Sequence, residues 1–542
     1  MSQALENSPH WEQADKGRRI DPYLVWAEIT NWAHFAQSPN ESCLYSVLIE
    51  LTCDATISDL CEADRKASSD NPAVHVDPIY EGFQFIAAQV TKEFFDKWAH
   101  GIYAAIVQRF ELCEPVTGLS STFGMRASRV NVAETWAYKY ARDADLPGFK
   151  SVVGIIDYGC PFANREFRYS QDRTRVIALW DQNEQNTIKD PELNIPGKNA
   201  FGTSYGSFLD ENQLGKAIAN TPPEQTEDWA YKEKGINYRQ LSAGFTHGAH
   251  VMSVAAGARK NVVRPELSDD REPIASTIGF VQLPERATAG SAGLWLGKLV
   301  LDGLHVLRQL LPEDSPKRKK HAEISLVANV SFGPLHGPHD GTAMLEQAML
   351  EMLEKQENMA ITLPSGNGFL SRSHAWMKVA EGKEESLIWH IMPDSAQPSF
   401  AEIWLPENMY EHVTITLGPP ASDVSEYLVV RQCEACSLGT RNGSVTPLAA
   451  AIFSPAVSRG NHGTMVLLAI GPTSIPAGRR DTNRAAAPAG NWTITIKSDD
   501  CSGGELDAKL HIARNGVNIG NAAISRQSYF IDDAMPLRQT ST

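Results

Sequence analysis

The stretch Phe245-Thr246-His247-Gly248-Ala249-His250-Val251 places a histidine between a polar residue and a glycine, at the start of a run of small side chains. This pattern predicts a helix that begins at His247 and holds one edge of the imidazole toward a cleft. Gly248 lets a neighbouring backbone approach closely, because it has no Cβ. Taken alone, a histidine beside small residues is more often structural than catalytic, so the stretch needs support from the rest of the chain.

The composition is that of an ordinary globular protein. The chain has 542 residues, of which 42% are hydrophobic and 21% charged, and this length is typical of about three to four domains. The net charge of −16 argues against nucleic acid or an anionic membrane as a general partner. Residues 1–19 hold no apolar segment typical of a signal peptide, and no stretch reaches the roughly 18 apolar residues of a spanning helix. With eight scattered cysteines, these features predict a reduced, cytoplasmic protein.

No metal site and no cofactor is predicted. Cys433 and Cys436 form one CxxC pair, which is weak evidence for zinc or redox chemistry because no second ligand pair accompanies it. The sequence contains no His-Glu-x-x-His motif and no paired carboxylate cluster, so a metal-dependent hydrolase is a remote alternative.

Hydrophobic patterns divide the chain into six parts. Strands at Tyr45–Leu51, Phe83–Val90 and Ala104–Leu112, with two helices between them, predict a ferredoxin-like α+β unit. Later in the chain, short strands between turns, without a convincing helix, predict a β-sandwich. The expected parts are a polar lead-in (1–40), the α+β unit (41–117), a linker (118–129), a sheet domain (130–384), the β-sandwich (385–515) and a tail returning toward the sheet domain (516–542).

The sheet domain is predicted from unbroken apolar runs. Ser151–Ile156 is typical of a strand buried on both faces of a parallel sheet, and it ends at Asp157. An acidic residue at the carboxyl end of such a strand lies where α/β sheets place their chemistry, although a turn-forming aspartate is an alternative. Further strands at Ile278–Leu283 and Ile324–Val330 alternate with helices, which predicts an α/β, doubly wound parallel sheet. Residues 181–240 are polar and turn-rich, and we expect a surface insertion there.

Four short motifs occur in order across residues 150–370, and each contains residues suited to acyl-transfer chemistry. They are Gly154-Ile155-Ile156-Asp157-Tyr158-Gly159, His247-Gly248-Ala249-His250-Val251, Asn329-Val330-Ser331-Phe332-Gly333 and Ser365-Gly366-Asn367-Gly368. In this order they resemble the aspartate motif, the histidine motif, the cleft-lining strand and the oxyanion turn of the subtilisin-like serine peptidases, or subtilases.

The resemblance implies a subtilisin-like fold and hydrolysis of a peptide or protein substrate. Asp157 would orient the imidazole of His247, which would act first as general base and then as general acid. The side-chain amide of Asn367 would donate to the oxyanion, a contact worth about 3 kcal/mol in this class of enzyme. The specificity pocket would be flanked by Ser331, Phe332, Gly333, Ser365 and Gly366. The α+β unit would take the place of a prodomain, and the β-sandwich that of an insertion before the serine.

The nucleophile departs from the family pattern. The subtilase serine lies in Gly-Thr-Ser-x-Ala-x-Pro after the asparagine, and no such motif follows Asn367. Ser204, in Gly202-Thr203-Ser204, precedes His247, whereas Ser444 is followed by a proline one residue too early. Two hypotheses stay open. One is a serine endopeptidase with an incomplete catalytic domain, whose serine segment is absent here or carried by a complementing chain. The other is a catalytically inactive scaffold that binds peptides or regulates a partner.

Overall fold

The structure is a computed structural model, and the description below is confined to part of the chain. The described residues are 3–4 (backbone), 21–30, 32, 44–67, 72–113, 151–169, 171–182, 203–234, 241, 246–257, 276–284, 296–311, 324–333, 336–366, 370–420, 427–439, 447–454, 463–474, 486–499, 504–513 and 527–531. They form eight α-helices and four sheets. The broad prediction of a mixed α/β fold is therefore confirmed.

The N-terminal unit is a four-stranded antiparallel sheet with two helices. In chain order the elements up to residue 113 are β1 (Gln3–Ala4), α1 (Pro22–Ile29), β2 (Tyr45–Leu51), α2 (Ile57–Ala67), β3 (Val74–Val76), β4 (Phe85–Val90), α3 (Lys92–Ala99) and β5 (Val107–Cys113). The strand order is β3-β4-β2-β5. The predicted β-α-β-α-β pattern lacks β3, because three residues are too few to show an alternating pattern.

Helix α1 lies in the segment that the sequence predicts as a polar lead-in. The Asp21 carboxylate caps it by accepting a hydrogen bond of 2.9 Å from the Tyr23 backbone N–H. The rings of Tyr23 and Trp26 meet the ring of Phe400 edge-on, with centroids 5.3 and 6.2 Å apart. Because Phe400 belongs to the β-sandwich, α1 joins the N-terminal segment to that distant domain.

The central sheet has six strands. Its elements are β6 (Ser151–Asp157), β7 (Val176–Asp181), β8 (Ser207–Asp210), α4 (Glu211–Ala219), α5 (Asp228–Lys234), α6 (His247–Ala256), β9 (Ser276–Gln282), α7 (Gly297–Arg308), β10 (Ser325–Val330), α8 (Met344–Lys355) and β11 (Met359–Thr362). The order is β11-β10-β6-β9-β7-β8, and every neighbouring pair is parallel except β7 with β8. The apolar runs that predict strands lie at the middle of this sheet. Strands β6 and β9 are largely buried, whereas Val327 of β10 is 40% exposed.

The expected surface insertion over 181–240 contains regular structure instead. Strand β8 extends the central sheet, and helices α4 and α5 follow it. Asp210 and Gln213 form a capping box at the start of α4, and Leu214 is fully buried. The capping box is a sequence signal for a helix start. The prediction over these residues is therefore wrong, because polar caps surround a short apolar helix face.

The β-sandwich consists of two packed antiparallel sheets. Its strands are β12 (His374–Val379), β13 (Glu384–Ile391), β14 (Ser399–Leu405), β15 (Val413–Gly418), β16 (Leu428–Val430), β17 (Ala435–Leu438), β18 (Ala449–Ser454), β19 (Thr464–Ile470), β20 (Gly490–Ser498), β21 (Leu506–Ala513) and β22 (Tyr529–Ile531). The sheets have the orders β1-β17-β18-β19-β14-β21-β12 and β16-β15-β20-β13-β22. Strand β12 begins before the predicted boundary at 385. In the tail, β22 pairs with β13 of the sandwich, whereas the sequence predicts a return toward the sheet domain.

The N-terminal unit is held on helices α7 and α8 of the sheet domain by buried polar contacts. Asp302 of α7 is fully buried and accepts a hydrogen bond from the Tyr80 hydroxyl. Glu351 of α8 accepts from the backbone N–H groups of Gln84 and Phe85, at 2.7 and 3.0 Å. No helix among the described residues is long and apolar enough to cross a membrane.

Candidate active site

The carboxyl edge of the central sheet brings three of the predicted motifs together. Strand β6 ends at Asp157, and its neighbour β10 continues into residues 331–333. Strand β11 pairs in parallel with β10 and continues into residues 363–366. Because the carboxyl ends of parallel strands share one edge, side chains from distant parts of the sequence face a common crevice there.

His247 and Asp157 form a hydrogen-bonded pair at this edge. Nδ1 of His247 lies 2.8 Å from Oδ2 and 3.0 Å from Oδ1 of Asp157. The aspartate is fully buried, whereas the histidine side chain is 44% exposed. Since Nδ1 faces the carboxylate, Nε2 is the ring nitrogen that can take a proton from a reacting group.

The start of α6 is hydrogen-bonded to the turn after β6. Thr246 caps the helix by accepting from the Ala249 backbone N–H at 3.0 Å, and its hydroxyl donates to the Gly159 carbonyl at 3.0 Å. The Gly248 N–H donates to the Tyr158 carbonyl at 3.0 Å. A Cβ on Gly248 would lie 2.3 Å from that carbonyl oxygen, so only glycine permits this approach. These contacts fix the imidazole against Asp157.

The ionisation of the pair is governed by opposing effects. The hydrogen bond that His247 donates to Asp157 raises the pKa of His247 above its usual value, and partial burial of the ring opposes this rise. Burial raises the pKa of Asp157, and the hydrogen bond with His247 lowers it. The carboxylate also accepts from the Tyr158 backbone N–H at 2.8 Å. The Asp157 carboxylate thus favours protonation of the imidazole, whereas burial of Asp157 opposes its own ionisation.

Two aromatic rings enclose the imidazole. The ring of Tyr158 lies nearly parallel to that of His247, with a centroid separation of 6.0 Å and an angle of 17°. The ring of Phe332 lies 5.4 Å from His247 and 6.3 Å from Tyr158. Of the predicted cleft residues, Phe332 is therefore the one whose side chain contacts the candidate pair.

The two cleft-lining segments are linked to each other. The Thr362 hydroxyl donates to Asn329 Oδ1 at 2.8 Å, and Asn329 Nδ2 donates to the Ser331 hydroxyl at 2.6 Å. A Cβ built on Gly333 would lie 3.4 Å from Pro364 Cγ, so the segments run in close contact. Farther along, Ser365 and Gly366 are exposed, and Gly366 has a φ of +81°.

Three other predicted positions were candidates for this cluster, and only one of them lies among the described residues. Asn367 and Ser444 lie outside the described residues. Ser204 lies against the N-terminal unit, where its backbone N–H donates to Asp77 at 3.0 Å. Within the described ranges, no group of three histidine, cysteine, aspartate or glutamate side chains is placed to hold a metal ion.

Sequence reasoning missed two residues that shape the site. Tyr158 stands where the subtilase motif has a threonine or serine, and its ring stacks on His247. Gln282 is fully buried at the end of β9, where its side-chain oxygen accepts from the Gly159 and Cys160 backbone N–H groups at 2.9 and 3.3 Å. Gln282 could have been identified from the sequence, because it is a polar residue at the end of an apolar run. Nothing in the sequence pattern shows the direction of the Tyr158 ring.

Comparisons with known proteins give one match to describe. The chain is similar to a solved structure titled as that of the Clostridium perfringens CspB protease. The identity is 16%, the TM-score is 0.47, and the match covers 73% of this chain and 67% of that chain. Structural similarity at this level does not establish the activity of the chain. No protein-family model and no curated protein matches.

The geometry defines what the site can do chemically. A buried carboxylate holds one nitrogen of an imidazole, and the histidine side chain is 44% exposed at the carboxyl edge of a parallel sheet. This is an acid–base pair with access for a reacting group. The segments that follow β10 and β11 lie at the same edge and are linked by the hydrogen bonds of Asn329.

Proposed function

We propose that the chain is a subtilisin-like serine endopeptidase that hydrolyses peptide bonds in a peptide or protein substrate. The observation that carries the proposal is the pairing of His247 with buried Asp157 at the carboxyl edge of the sheet. The order of the four motifs in the sequence supports it, since three of them meet at this edge.

In the proposed reaction His247 moves one proton in each of two steps. Nε2 takes it from a serine hydroxyl while that oxygen adds to the scissile carbonyl, and the carbonyl π electrons move onto oxygen. When the tetrahedral intermediate collapses, the imidazolium gives the proton to the leaving amine, and an ester to the serine remains. Water attacks this ester with His247 again as base, which releases the acid and restores the hydroxyl. Asp157 stabilises the imidazolium throughout.

The remaining predicted residues have supporting roles in this proposal. The Asn367 amide donates to the oxyanion, and Ser331, Phe332, Gly333, Ser365 and Gly366 flank the specificity pocket. The hydrogen bonds that link Ser331 to Thr362 through Asn329 keep the two cleft segments at a fixed separation. Such preorganisation matters because the groups that bind the transition state must be in place before reaction.

We infer a matching architecture for the whole chain. The central sheet, with helices along it, is a doubly wound subtilisin-like domain, and the N-terminal unit with sheet order β3-β4-β2-β5 is a ferredoxin-like prodomain. The β-sandwich is an insertion between Asn367 and the serine segment. The nucleophile is unassigned, and a complementing chain carrying the serine segment is one source for it.

Peptide hydrolysis by the purified chain tests the proposal. The full chain is incubated with a mixture of denatured proteins, and new amino termini are identified by mass spectrometry. We expect cleavage that disappears in His247→Ala and persists in His100→Ala, since His100 is an exposed histidine of the N-terminal unit. Cleavage that survives in His247→Ala would show that another site or a contaminating enzyme is responsible.

A second function is favoured by the sequence after Asn367, where no Gly-Thr-Ser-x-Ala-x-Pro motif occurs. In this alternative the chain is a catalytically inactive subtilase scaffold that binds peptides or regulates a partner. The two functions differ in their response to His247→Ala. A scaffold keeps its peptide affinity and its effect on the partner when the imidazole is removed, whereas the peptidase loses turnover.

A further inference from the structure

A cavity of about 210 Å³ lies beside the candidate active site, where the N-terminal unit, the sheet domain and the β-sandwich meet. Phe332 and Gly333 form part of its wall, and the Phe332 ring also contacts His247. The volume exceeds the ~150 Å³ of an engineered core cavity that holds benzene. The cavity therefore has room for a long side chain or a small organic molecule, next to the crevice proposed to bind peptide.

Most of the cavity wall is apolar. Buried side chains from all three parts of the molecule contribute, and they are Leu48, Leu112, Val300, Trp404 and Met465. An apolar wall of this kind favours an aliphatic stem, because it removes methylene groups from water.

The same cavity also carries acidic groups. Asp21, Glu111 and Glu402 line it, and Asp21 and Glu402 are only 6% and 1% exposed. Burial, together with the charges of Glu111 and Glu402, raises the pKa of Asp21 to about 7. The described lining residues include no lysine or arginine. Grouping carboxylates away from water is unfavourable unless they are protonated or a cation offsets their charge. The charge of Arg109 lowers the pKa of Glu111, whereas the charges acting on Asp21 are those of two glutamates.

His336 gives a second, independent indication of a ligand. Its Nδ1 is buried in the cavity wall and has no hydrogen-bond partner among the described residues. Burial lowers the pKa of His336, so the ring is neutral near pH 7 and one nitrogen can accept a hydrogen bond. An N–H donor in the cavity would satisfy this nitrogen. Asp21 and Glu402, in contrast, already accept from backbone N–H groups.

We propose that the cavity binds an organic cation, an ammonium or guanidinium group on an aliphatic stem, with Asp21 and Glu111 as its charge partners. The stem contacts the apolar wall, the positive charge of the head offsets that of the carboxylates, and one N–H of the head donates to His336. This inference rests on the proposed function for one source of the cation, a lysine or arginine side chain of a peptide in the cleft. A free polyamine has the same chemistry and is the other source.

Calorimetric titration of the full chain tests the proposal. The probes are capped alanine hexapeptides with one arginine at each position in turn, the same peptides with neutral citrulline, and agmatine as a free guanidinium. The His247→Ala background prevents hydrolysis during the titration. We expect at least one arginine peptide, or agmatine, to bind about tenfold more tightly than its citrulline counterpart or than n-butanol, which has the four-carbon stem of agmatine.

Two variants connect this preference to the cavity. Glu111→Gln removes one charge at nearly constant shape, and Val300→Phe fills the cavity without changing charge. Both should abolish the preference, whereas Glu384→Gln on the exposed surface of β13 should keep it. Thermal melting checks that each variant is folded. The comparison of charged and neutral probes on the chain with an unsubstituted cavity does not depend on these variants.

The outcomes are distinct. Preference for an arginine peptide assigns the cation to the substrate, and preference for agmatine alone assigns it to a free amine. Equal binding of charged and neutral probes overturns the proposal, as does a preference that persists in folded Glu111→Gln and Val300→Phe. A chain that prefers the cation but hydrolyses nothing keeps the cation site and contradicts only the proposed function.

Discussion

The hydrogen bond between His247 Nδ1 and Asp157 determines which tautomer of the imidazole faces the crevice. The carboxylate accepts a hydrogen bond from Nδ1–H, so the neutral ring presents Nε2 as an acceptor. At this scale the sequence predicts much of the site, because Asp157 and His247 each occupy a recognisable local pattern. The Tyr158 ring could not be predicted, since its stacking on His247 depends on a side-chain direction set by the folded surroundings.

Replacing Asp157 with asparagine should lower the pKa of His247. The hydrogen bond to Asp157 is the main cause of the raised pKa, and the burial that remains lowers it. The raised pKa also means that protonation of His247 stabilises the native state. This stabilisation is complete below the unfolded pKa of about 6.5 and is lost as pH rises through the higher folded value. NMR titration of the imidazole nitrogens measures the change.

Asp394→Asn, at an exposed loop of the β-sandwich, is the matched control and should leave the titration of His247 unchanged. An unshifted His247 pKa in Asp157→Asn would mean that the aspartate does not control the imidazole. If the chain hydrolyses peptides, the same variant should reduce kcat by about 10⁴, as expected when the wrong tautomer is favoured.

At the scale of helices and strands, an element can be predicted from the sequence when its hydrophobic pattern is clear. The unbroken apolar runs of β6, β9 and β10 predict strands within two residues of their observed bounds. Strand β18 has the sequence Ala-Ala-Ala-Ile-Phe-Ser and was not predicted, because alanine has a low intrinsic preference for strands. Its neighbours β17 and β19 supply the hydrogen bonds and packing that keep it extended.

The cap of α6 is an element-scale feature with a direct test. Thr246→Ala removes the hydroxyl that accepts from Ala249 and donates to Gly159. We expect a loss of about 0.5–2 kcal/mol in the free energy of unfolding, the usual range for such a cap. Thr246→Ser keeps the hydroxyl and should behave nearly as the parent. Urea unfolding of the three chains measures the difference, and equal stability of Thr246→Ala and the parent would contradict the capping role.

For the whole molecule, contacts between residues far apart in the chain determine how the domains pack. His374, His511 and Glu402 lie directly opposite one another on β12, β21 and β14. The ring of His339, from the loop before α8, lies 4.0 Å from the ring of His511. Local patterns carry no information about such pairs, so the sequence predicts the domains but not their docking.

This histidine cluster should make stability depend on pH. Burial, the neighbouring His339 and His374 and the charge of Lys509 lower the pKa of His511 to about 3. Between pH 6.5 and pH 3 the unfolded state therefore binds more protons at this residue, so the free energy of unfolding falls as pH falls. His511→Gln should flatten this part of the profile, measured as Tm between pH 7 and pH 4. The exposed control His100→Ala should keep the parental slope, and an equal slope in His511→Gln would contradict the effect.

The central claim is that the Asp157–His247 pair activates a serine, and labelling with a fluorophosphonate tests it most directly. The purified full chain is treated with the probe, and the modified residue is identified by peptide mapping. The account predicts one labelled serine, with the label abolished in His247→Ala and retained in His100→Ala. The absence of any label that depends on His247 would contradict activation of a serine within this chain, and it would favour the peptide-binding scaffold or a serine supplied by a complementing chain.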